Sequence, residues 1–196
     1  GLQRYSAVLA DGAGGSVMAW SEKSGRNYNV YARSIDNATG SWKSSRLRLS
    51  ASGSMPVVCP GPGGNILVAW LDGRNGDADV YVQAVTPSAT AVWPGDGVPV
   101  CTATGMQYFV GMAPTGDGAI LFWSDSRSGG YDIYAQRINA SGSALWAANG
   151  AAVCSAAGDQ VFTDDMRSTF VASDGSGGAI AVWADKRSGT GSDLYA

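Results

Sequence analysis

The fifteen residues Trp123–Arg137, WSDSRSGGYDIYAQR, bring an indole, two aspartates, two arginines and two tyrosines close together in the chain. Such a density of aromatic and charged groups is typical of a reactive site, but it is also typical of a structural unit. The two interpretations differ in one respect, since a catalytic centre occurs once whereas a structural unit recurs. The phrase recurs here in four registers, so most of it is interpreted as the pattern of a fold.

Each register has a glycine-rich turn, a short apolar run and then a tryptophan, and the tryptophans are Trp20, Trp70, Trp123 and Trp183. The intervals between them are 50, 53 and 60 residues. An acid follows each tryptophan, an arginine follows in three copies, and a tyrosine comes 11 or 12 residues after the tryptophan. These positions are Glu22, Asp72, Asp125 and Asp185; Arg74, Arg127 and Arg187; and Tyr31, Tyr81, Tyr134 and Tyr195. The constant spacing indicates a repeat of about 50 residues.

A second tryptophan follows in three units, at Trp42, Trp93 and Trp146, and the next segment superposes Leu49, Cys101 and Cys154 as small buried hydrophobes. Every unit contains four short apolar runs separated by Gly, Ser, Asp and Asn clusters, which predicts four strands. The alternation in DIYAQRI places Ile133 and Ala135 on one face of its strand and Tyr134 and Ile138 on the other.

Four strands in about 50 residues are the signature of a propeller blade. We therefore predict an all-β fold, a β-propeller with about four blades of four short antiparallel strands, the last blade incomplete. The chain is taken as one domain, 1–196, with repeat units at approximately 3–54, 55–106, 107–167 and 168–196. An all-β solenoid is the alternative, although its rungs are usually shorter. We also expect that the polypeptide continues or that a second copy closes the ring as a homodimer through open edge strands.

The composition excludes several classes of function. A net charge of −3 with 13 Lys and Arg leaves no basic field for nucleic acid, and no apolar run is long enough for membrane insertion. The chain has no histidine, which removes the commonest general base and all Ser-His and Cys-His arrangements. Its three cysteines show no CxxC spacing, so neither a zinc site nor a disulfide framework is indicated. Catalysis is therefore not expected.

Two turn segments contain clustered oxygen ligands or charge pairs. Asp125, Arg127 and Asp132 bracket one turn; recurrence favours a structural role in which Arg127 forks between a carboxylate and backbone carbonyls. The alternative is a polar ligand site.

The best metal candidate is the loop with Asp72, Asn75, Asp77 and Asp79, which offers the oxygen ligands that calcium prefers. Calcium is the one cofactor that the sequence suggests, and no other is expected.

Candidate ligand-binding residues come from the longest repeat interval and from the second tryptophans. The segment DQVFTDDMRS, which starts at Asp159, carries Asp164, Asp165 and Arg167, and insertions into repeats often lie on a binding face. Its paired carboxylates would suit acid/base work, although such runs are usually solvated loops. The second tryptophans are candidates for stacking on sugar rings, and packing between blades is the alternative. They are Trp42, Trp93 and Trp146.

The phrase DGxGGxIxxWxDxR…DIYAQR resembles repeats of secreted and surface proteins of bacteria, often large and uncharacterised, that are predicted as β-propellers. The resemblance covers nearly the whole chain and is weakest in the first unit, where Glu22 and Ser24 replace Asp and Arg. A distant similarity to sialidase-type propellers does not extend to their Ser-x-Asp-x-Gly-x-x-Trp box. The resemblance implies an extracellular or cell-surface location and specifies architecture more than activity.

Together these features predict a non-catalytic extracellular binding or scaffold module of a secreted bacterial protein, with a protein or carbohydrate ligand. A lectin-like carbohydrate-binding propeller is the first alternative. A sialidase-like glycoside hydrolase is the second, and it would need two carboxyl groups facing each other across a cleft.

Overall fold

The computed structural model describes residues 1–162, 170–189 and 191–196, with the backbone alone at Phe109. Within these ranges the regular structure is β except for one short 3-10 turn. No helix in the described part of the chain is long and apolar enough to cross a membrane. The prediction of an all-β fold is confirmed.

The strands fall into four successive groups. The first sheet contains β1 (Gln3–Ala10), β2 (Gly15–Ser24), β3 (Asn27–Asp36) and β4 (Leu47–Ser50). The second contains β5 (Gly53–Pro60), β6 (Ile66–Asp72), β7 (Asp79–Val85) and β8 (Val98–Cys101), with the 3-10 turn at Pro62–Gly64. The third contains β9 (Gln107–Thr115), β10 (Gly118–Asp125), β11 (Asp132–Asn139) and β12 (Ala151–Cys154). The fourth group contains β13 (Gln160–Val161), β14 (Val171–Ser173), β15 (Ala179–Ala181), β16 (Trp183–Asp185) and β17 (Asp193–Tyr195).

The first three sheets are antiparallel meanders in which each strand pairs with the next one along the chain. The fourth group follows the same order, because β13 and β14 both pair with the segment that contains β15 and β16, and β16 pairs with β17. Gln160 and Val161 therefore begin the fourth sheet, although the repeat boundary predicted at 168 leaves them in the third unit.

Successive sheets pack face to face through three apolar cores. Val17 and Val30 of the first sheet meet Trp70 of the second, and the second meets the third in the same way. The predicted alternation of β11 is confirmed: Ile133 lies in the core shared with the fourth sheet, and Ile138 lies in the core shared with the second. Each central sheet is thus buried on both faces, which explains the nearly continuous apolar runs of β6 and β10.

The first strands of neighbouring sheets lie side by side. A cavity of about 250 Å³ between them is lined by one or more residues from each first strand, including Ala7, Val58, Gly111 and Val171. The first strands of the four sheets therefore adjoin one another around this cavity.

A β-bulge interrupts the first strand of each complete sheet. Pairing shifts between Arg4 and Ala7 in β1 and at the equivalent points of β5 and β9. Tyr5 (φ 50°) and Met55 (φ 53°), which follow the last pair before the shift, adopt left-handed backbone angles. In the fourth sheet the described pairs on the two sides of this point are Val161 opposite Ala184 and Val171 opposite Ala181.

Candidate functional site

A four-residue cluster recurs at the end of the second strand of each sheet. Its members are Trp70, Asp72, Arg74 and Tyr81 in the second sheet; Trp123, Asp125, Arg127 and Tyr134 in the third; and Trp183, Asp185, Arg187 and Tyr195 in the fourth. We call each set the carboxylate cluster of its sheet. The strand pairing builds the cluster, because it places each tryptophan directly opposite its tyrosine.

In the third sheet the carboxylate of Asp125 accepts hydrogen bonds from Trp123 and Arg127. Trp123 Nε1 donates to Oδ2 at 2.7 Å, and Arg127 donates to Oδ1 through its backbone N–H at 3.0 Å and through Nε at 2.9 Å. Arg127 Nη2 also donates to Asp125 Oδ2 at 2.6 Å and to the Asn149 carbonyl at 2.8 Å. The predicted fork of Arg127 between a carboxylate and a backbone carbonyl is confirmed.

The guanidinium of Arg127 also lies 3.9 Å from the centre of the Tyr134 ring, and this contact repeats at Arg74 and Arg187. Burial by itself raises the pKa of Asp125, but the hydrogen bonds from Arg127 and Trp123 outweigh it and hold that pKa below the ordinary value. The same balance lowers the pKa of Asp72. Each carboxylate is therefore ionised and fully engaged, which leaves it unsuited to proton transfer.

The first sheet builds its cluster from different positions. Trp20 Nε1 donates to Glu22 Oε2 at 3.4 Å, and the cation is Arg46, whose Nη1 lies 3.0 Å from the same oxygen. Arg46 also covers the ring of Tyr31 at 4.4 Å. Hydrogen bonds from Gln3 and Arg46 lower the pKa of Glu22. The weakest repeat in the sequence therefore restores the arrangement with an arginine from the β3–β4 loop.

The clusters of the second, third and fourth sheets are also joined to the preceding sheet. Ser50 Oγ donates to Asp72 Oδ2 at 2.7 Å, and the thiols of Cys101 and Cys154 contact Asp125 and Asp185 at 3.7 and 3.8 Å. Strand pairing shows that Ser50 is the equivalent of both cysteines, so the superposition of Leu49 on them is wrong by one residue. The clusters thus fix each sheet to the preceding one.

Three of the four residues predicted to bind calcium, Asp72, Asn75 and Asp79, take part in side-chain hydrogen bonds within the protein. The Asp72 side chain is 0% exposed and accepts bonds from Arg74, Trp70 and Ser50. The Asn75 side-chain amide donates to Asp79 Oδ2 at 2.7 Å, so its N–H, and not its carbonyl oxygen, faces that carboxylate. Burial raises the pKa of Asp79. Among the residues described, no group of three or more His, Cys, Asp or Glu side chains is arranged to share an ion.

The structure separates the three second tryptophans. Bridges from Ile35, Val85 and Ile138 make Trp42 the equivalent of Ala91 and Ala144, so Trp42 stands two positions before the place of Trp93 and Trp146. Trp93 is buried and donates its Nε1 proton to the Ala140 carbonyl of the third sheet at 3.1 Å. Trp42 lies beside Trp20 with Arg33 over its ring at 4.5 Å. Trp42 and Trp146 keep exposed faces, 45% and 41%, whereas Trp93 packs between sheets.

Asp164, Asp165 and Arg167 lie outside the residues that the structure describes. Their proposed ligand role stays a prediction.

A cleft of about 400 Å³ lies where the turns of the first two sheets meet the first strands of the second and third. We call it the turn cleft. The side chains that line it include Asn27, Tyr28, Met55, Asp77, Met106 and Tyr108. Except for Asp77, sequence reasoning missed these residues. The available signal was Ala78, a small residue at the position that Tyr28 and Tyr131 hold in the neighbouring units.

No protein-family model matches the chain, and the search of curated proteins finds no match. Among solved structures, the fold is similar to the catalytic domain of the GH62 α-L-arabinofuranosidase of Coprinopsis cinerea, with 14% identity over 80% of this chain and 52% of that one, at a TM-score of 0.46.

Two further solved structures are similar at comparable levels. A putative TolB from Agrobacterium tumefaciens shows 13% identity over 74% of this chain and 49% of that one, at a TM-score of 0.43. An α-L-arabinofuranosidase from Podospora anserina, solved with cellotriose, shows 12% identity over 70% and 46%, at 0.41. The chain spans about half the length of each of the three, and similarity at this level assigns no activity.

Proposed function

We propose that the chain is a non-catalytic binding module, built from consecutive blades of a β-propeller. Face-to-face packing of successive four-stranded meanders supports the architecture, as does the close approach of their first strands around one cavity. A ring of blades has this geometry because neighbouring sheets meet around the axis along one strand of each. The secreted, extracellular setting of a bacterial protein rests on the resemblance of the repeats.

The repeated carboxylate cluster is the observation that supports a non-catalytic role. A hydrolase of the two-carboxylate type needs one acid that can donate a proton and a second that faces it. The buried carboxylates Asp72, Asp125 and Asp185 instead each bind an arginine and an indole of their own sheet. These residues hold the sheets together, and the turns between them are free to present a ligand surface.

The ligand is a glycan or a protein, and the lectin-like alternative has the exposed faces of Trp42 and Trp146 and the turn cleft in its favour. The glycoside-hydrolase alternative assigns the reacting carboxyl groups to Asp164 and Asp165. A second copy of the chain is a further partner, and the exposed Ile180 (55%) and Leu194 (72%) of the fourth sheet offer it an apolar face.

The experiment compares binding with turnover in one preparation. The protein is applied to an array of neutral and acidic oligosaccharides and to immobilised extracellular-matrix and cell-wall proteins, and is incubated with a panel of glycosides. We expect a retained ligand and no released sugar. Turnover that disappears in Asp164→Asn or Asp165→Asn would overturn the proposal, and so would a protein that binds nothing. Adding calcium or chelator tests the Asp72–Asp79 loop, and light scattering tests self-association.

A further inference from the structure

We infer that the turn cleft is a binding site for a neutral sugar ring. The inference rests on the proposed binding function and gives it a place and a ligand class. It concerns a surface different from the second tryptophans and from the insertion in the fourth sheet. The cleft lies between three sheets, so its walls are held by three separate packed units.

The cleft is open because of one small residue, Ala78. Pairing of Asp72 with Asp79 and of Asp125 with Asp132 makes Ala78 the counterpart of Tyr131, and the first sheet has Tyr28 at the same place. A tyrosine there would project into the space that the cleft occupies. Gly53 lies at the base of the cleft, where a Cβ atom would lie 2.7 Å from Cδ1 of Trp70, so glycine lets this strand pack closely on the core beneath the cleft. The open space is therefore a local property of the second sheet.

The lining suits a ligand that is apolar on its faces and polar at its edges. Tyr28 and Tyr108 are half-buried and bring aromatic rings to the walls, and Met55 and Met106 add polarisable apolar surface. Asn27 and Asp77 are exposed at the cleft and supply amide and carboxylate groups for hydroxyl partners. A pyranose has this distribution, with C–H groups on its faces and hydroxyl groups around its edge.

The charge of the cleft favours a neutral ligand over an anionic one. None of the described residues that line the cleft is a lysine or arginine, whereas Asp77 is an acid. An anionic sugar or a phosphate would find no cation there and would face a like charge. The ligand class is therefore a neutral sugar. An apolar side chain of a peptide would use the walls and leave the polar edge unpaired.

The test fills the cleft with the residue that its neighbours already carry. In Ala78→Tyr, the new side chain stands where Tyr28 and Tyr131 stand in adjacent units, so the melting temperature should stay close to that of the parent. Ala13→Tyr, in the β1–β2 turn at the opposite end of the first sheet, is the matched control. All are screened on an array of neutral glucose-, galactose-, mannose- and xylose-based oligosaccharides, and the strongest binder is titrated by calorimetry.

We expect Ala78→Tyr to abolish binding while Ala13→Tyr retains it, and Tyr28→Ala to weaken it by up to about tenfold, the effect of one aromatic contact. Full affinity in Ala78→Tyr would overturn the cleft as the site and leave the binding module standing. Binding of a protein or peptide with no sugar bound would overturn the sugar and likewise leave the module standing. If the parent protein binds no sugar, protein or peptide, both the sugar site and the binding function are overturned.

Discussion

The first and third sheets meet the same electrostatic requirement with different residues. In the third, Asp125 binds Arg127, two residues further along the same turn; in the first, Glu22 binds Arg46, which lies 24 residues away. Both arrangements place a guanidinium over the tyrosine that faces the tryptophan, at 3.9 and 4.4 Å. What repeats in this fold is therefore the arrangement of charge, indole and phenol, and the residue that supplies each part is free to change.

The two clusters differ in burial. The side chain of Asp125 is 0% exposed and that of Arg127 is 21% exposed, whereas the values for Glu22 and Arg46 are 18% and 46%. A neighbouring sheet covers the third cluster, while solvent reaches the first. The same contacts should therefore contribute unequal amounts to stability, because water screens the exposed pair.

Removal of the charge from each cluster gives the largest expected difference. Asp125→Asn leaves Arg127 without its buried partner and should lower the free energy of unfolding by about 3 kcal/mol. Glu22→Gln should lower it by less than about 1 kcal/mol, as is usual for exposed pairs. Thermal melts followed by circular dichroism would show shifts of roughly 6–12 °C and of a few degrees, respectively. Equal shifts would show that the two clusters are energetically alike.

Acid should act on the buried clusters more than on the exposed one. The pKa values of Asp72 and Asp125 lie below the ordinary value in the folded protein, so their stabilisation is present above about pH 4 and is lost as pH falls further. The loss of unfolding free energy between pH 5 and pH 2 should shrink in Asp125→Asn and change little in Glu22→Gln. Urea titrations at several pH values measure it.

Asp79 supplies the opposite sign in the acid experiment. Because burial raises the pKa of Asp79 in the folded protein, protonation of Asp79 adds to the free energy of unfolding as pH falls. Asp79→Asn removes this contribution, so the free energy of unfolding should fall more steeply with acid in the variant. A less steep fall of the free energy of unfolding in Asp79→Asn would contradict a raised pKa for Asp79.

The smallest expected effect concerns the link between sheets. Ser50 makes the link to the second cluster at 2.7 Å, so Cys101→Ser should reproduce it at the third and change stability by no more than about 1 kcal/mol. Burial raises the pKa of the Cys101 thiol to about 12. In the native protein a disulfide reagent should therefore leave Cys101 unlabelled. The Cys101→Ser variant is the control, and its two other thiols should label as they do in the parent. Rapid labelling that is present in the parent and absent in this variant would show that Cys101 is not buried.

The sequence predicted what depends on local periodicity. The distance from Trp123 to Tyr134 follows from strand pairing, and the alternation around Ile133 follows from the two faces of a strand, so both were recovered from spacing alone. The structural role of Arg127 was predicted because the motif recurs. These features need no knowledge of which residues meet from distant parts of the chain.

The features that sequence reasoning missed depend on contacts between units. Trp42 and Trp93 looked equivalent by order, yet their loops differ in length and place them two positions apart on the ladder. Arg46 replaces a missing arginine from another loop, which no spacing rule indicates. The turn cleft arises from a small residue, Ala78, and small residues attract little attention in a motif search.

The bulge in the first strands has a consequence for how this fold tolerates change. Residues at the bulge make no ladder pair, so chain length can vary there while pairing on each side stays in register, as Val161 opposite Ala184 and Val171 opposite Ala181 show in the fourth sheet. The equivalent point in the second sheet, beside Met55, is therefore a grafting position. A peptide loop installed there would leave the strand ladder unbroken on both sides and would emerge at the rim of the turn cleft.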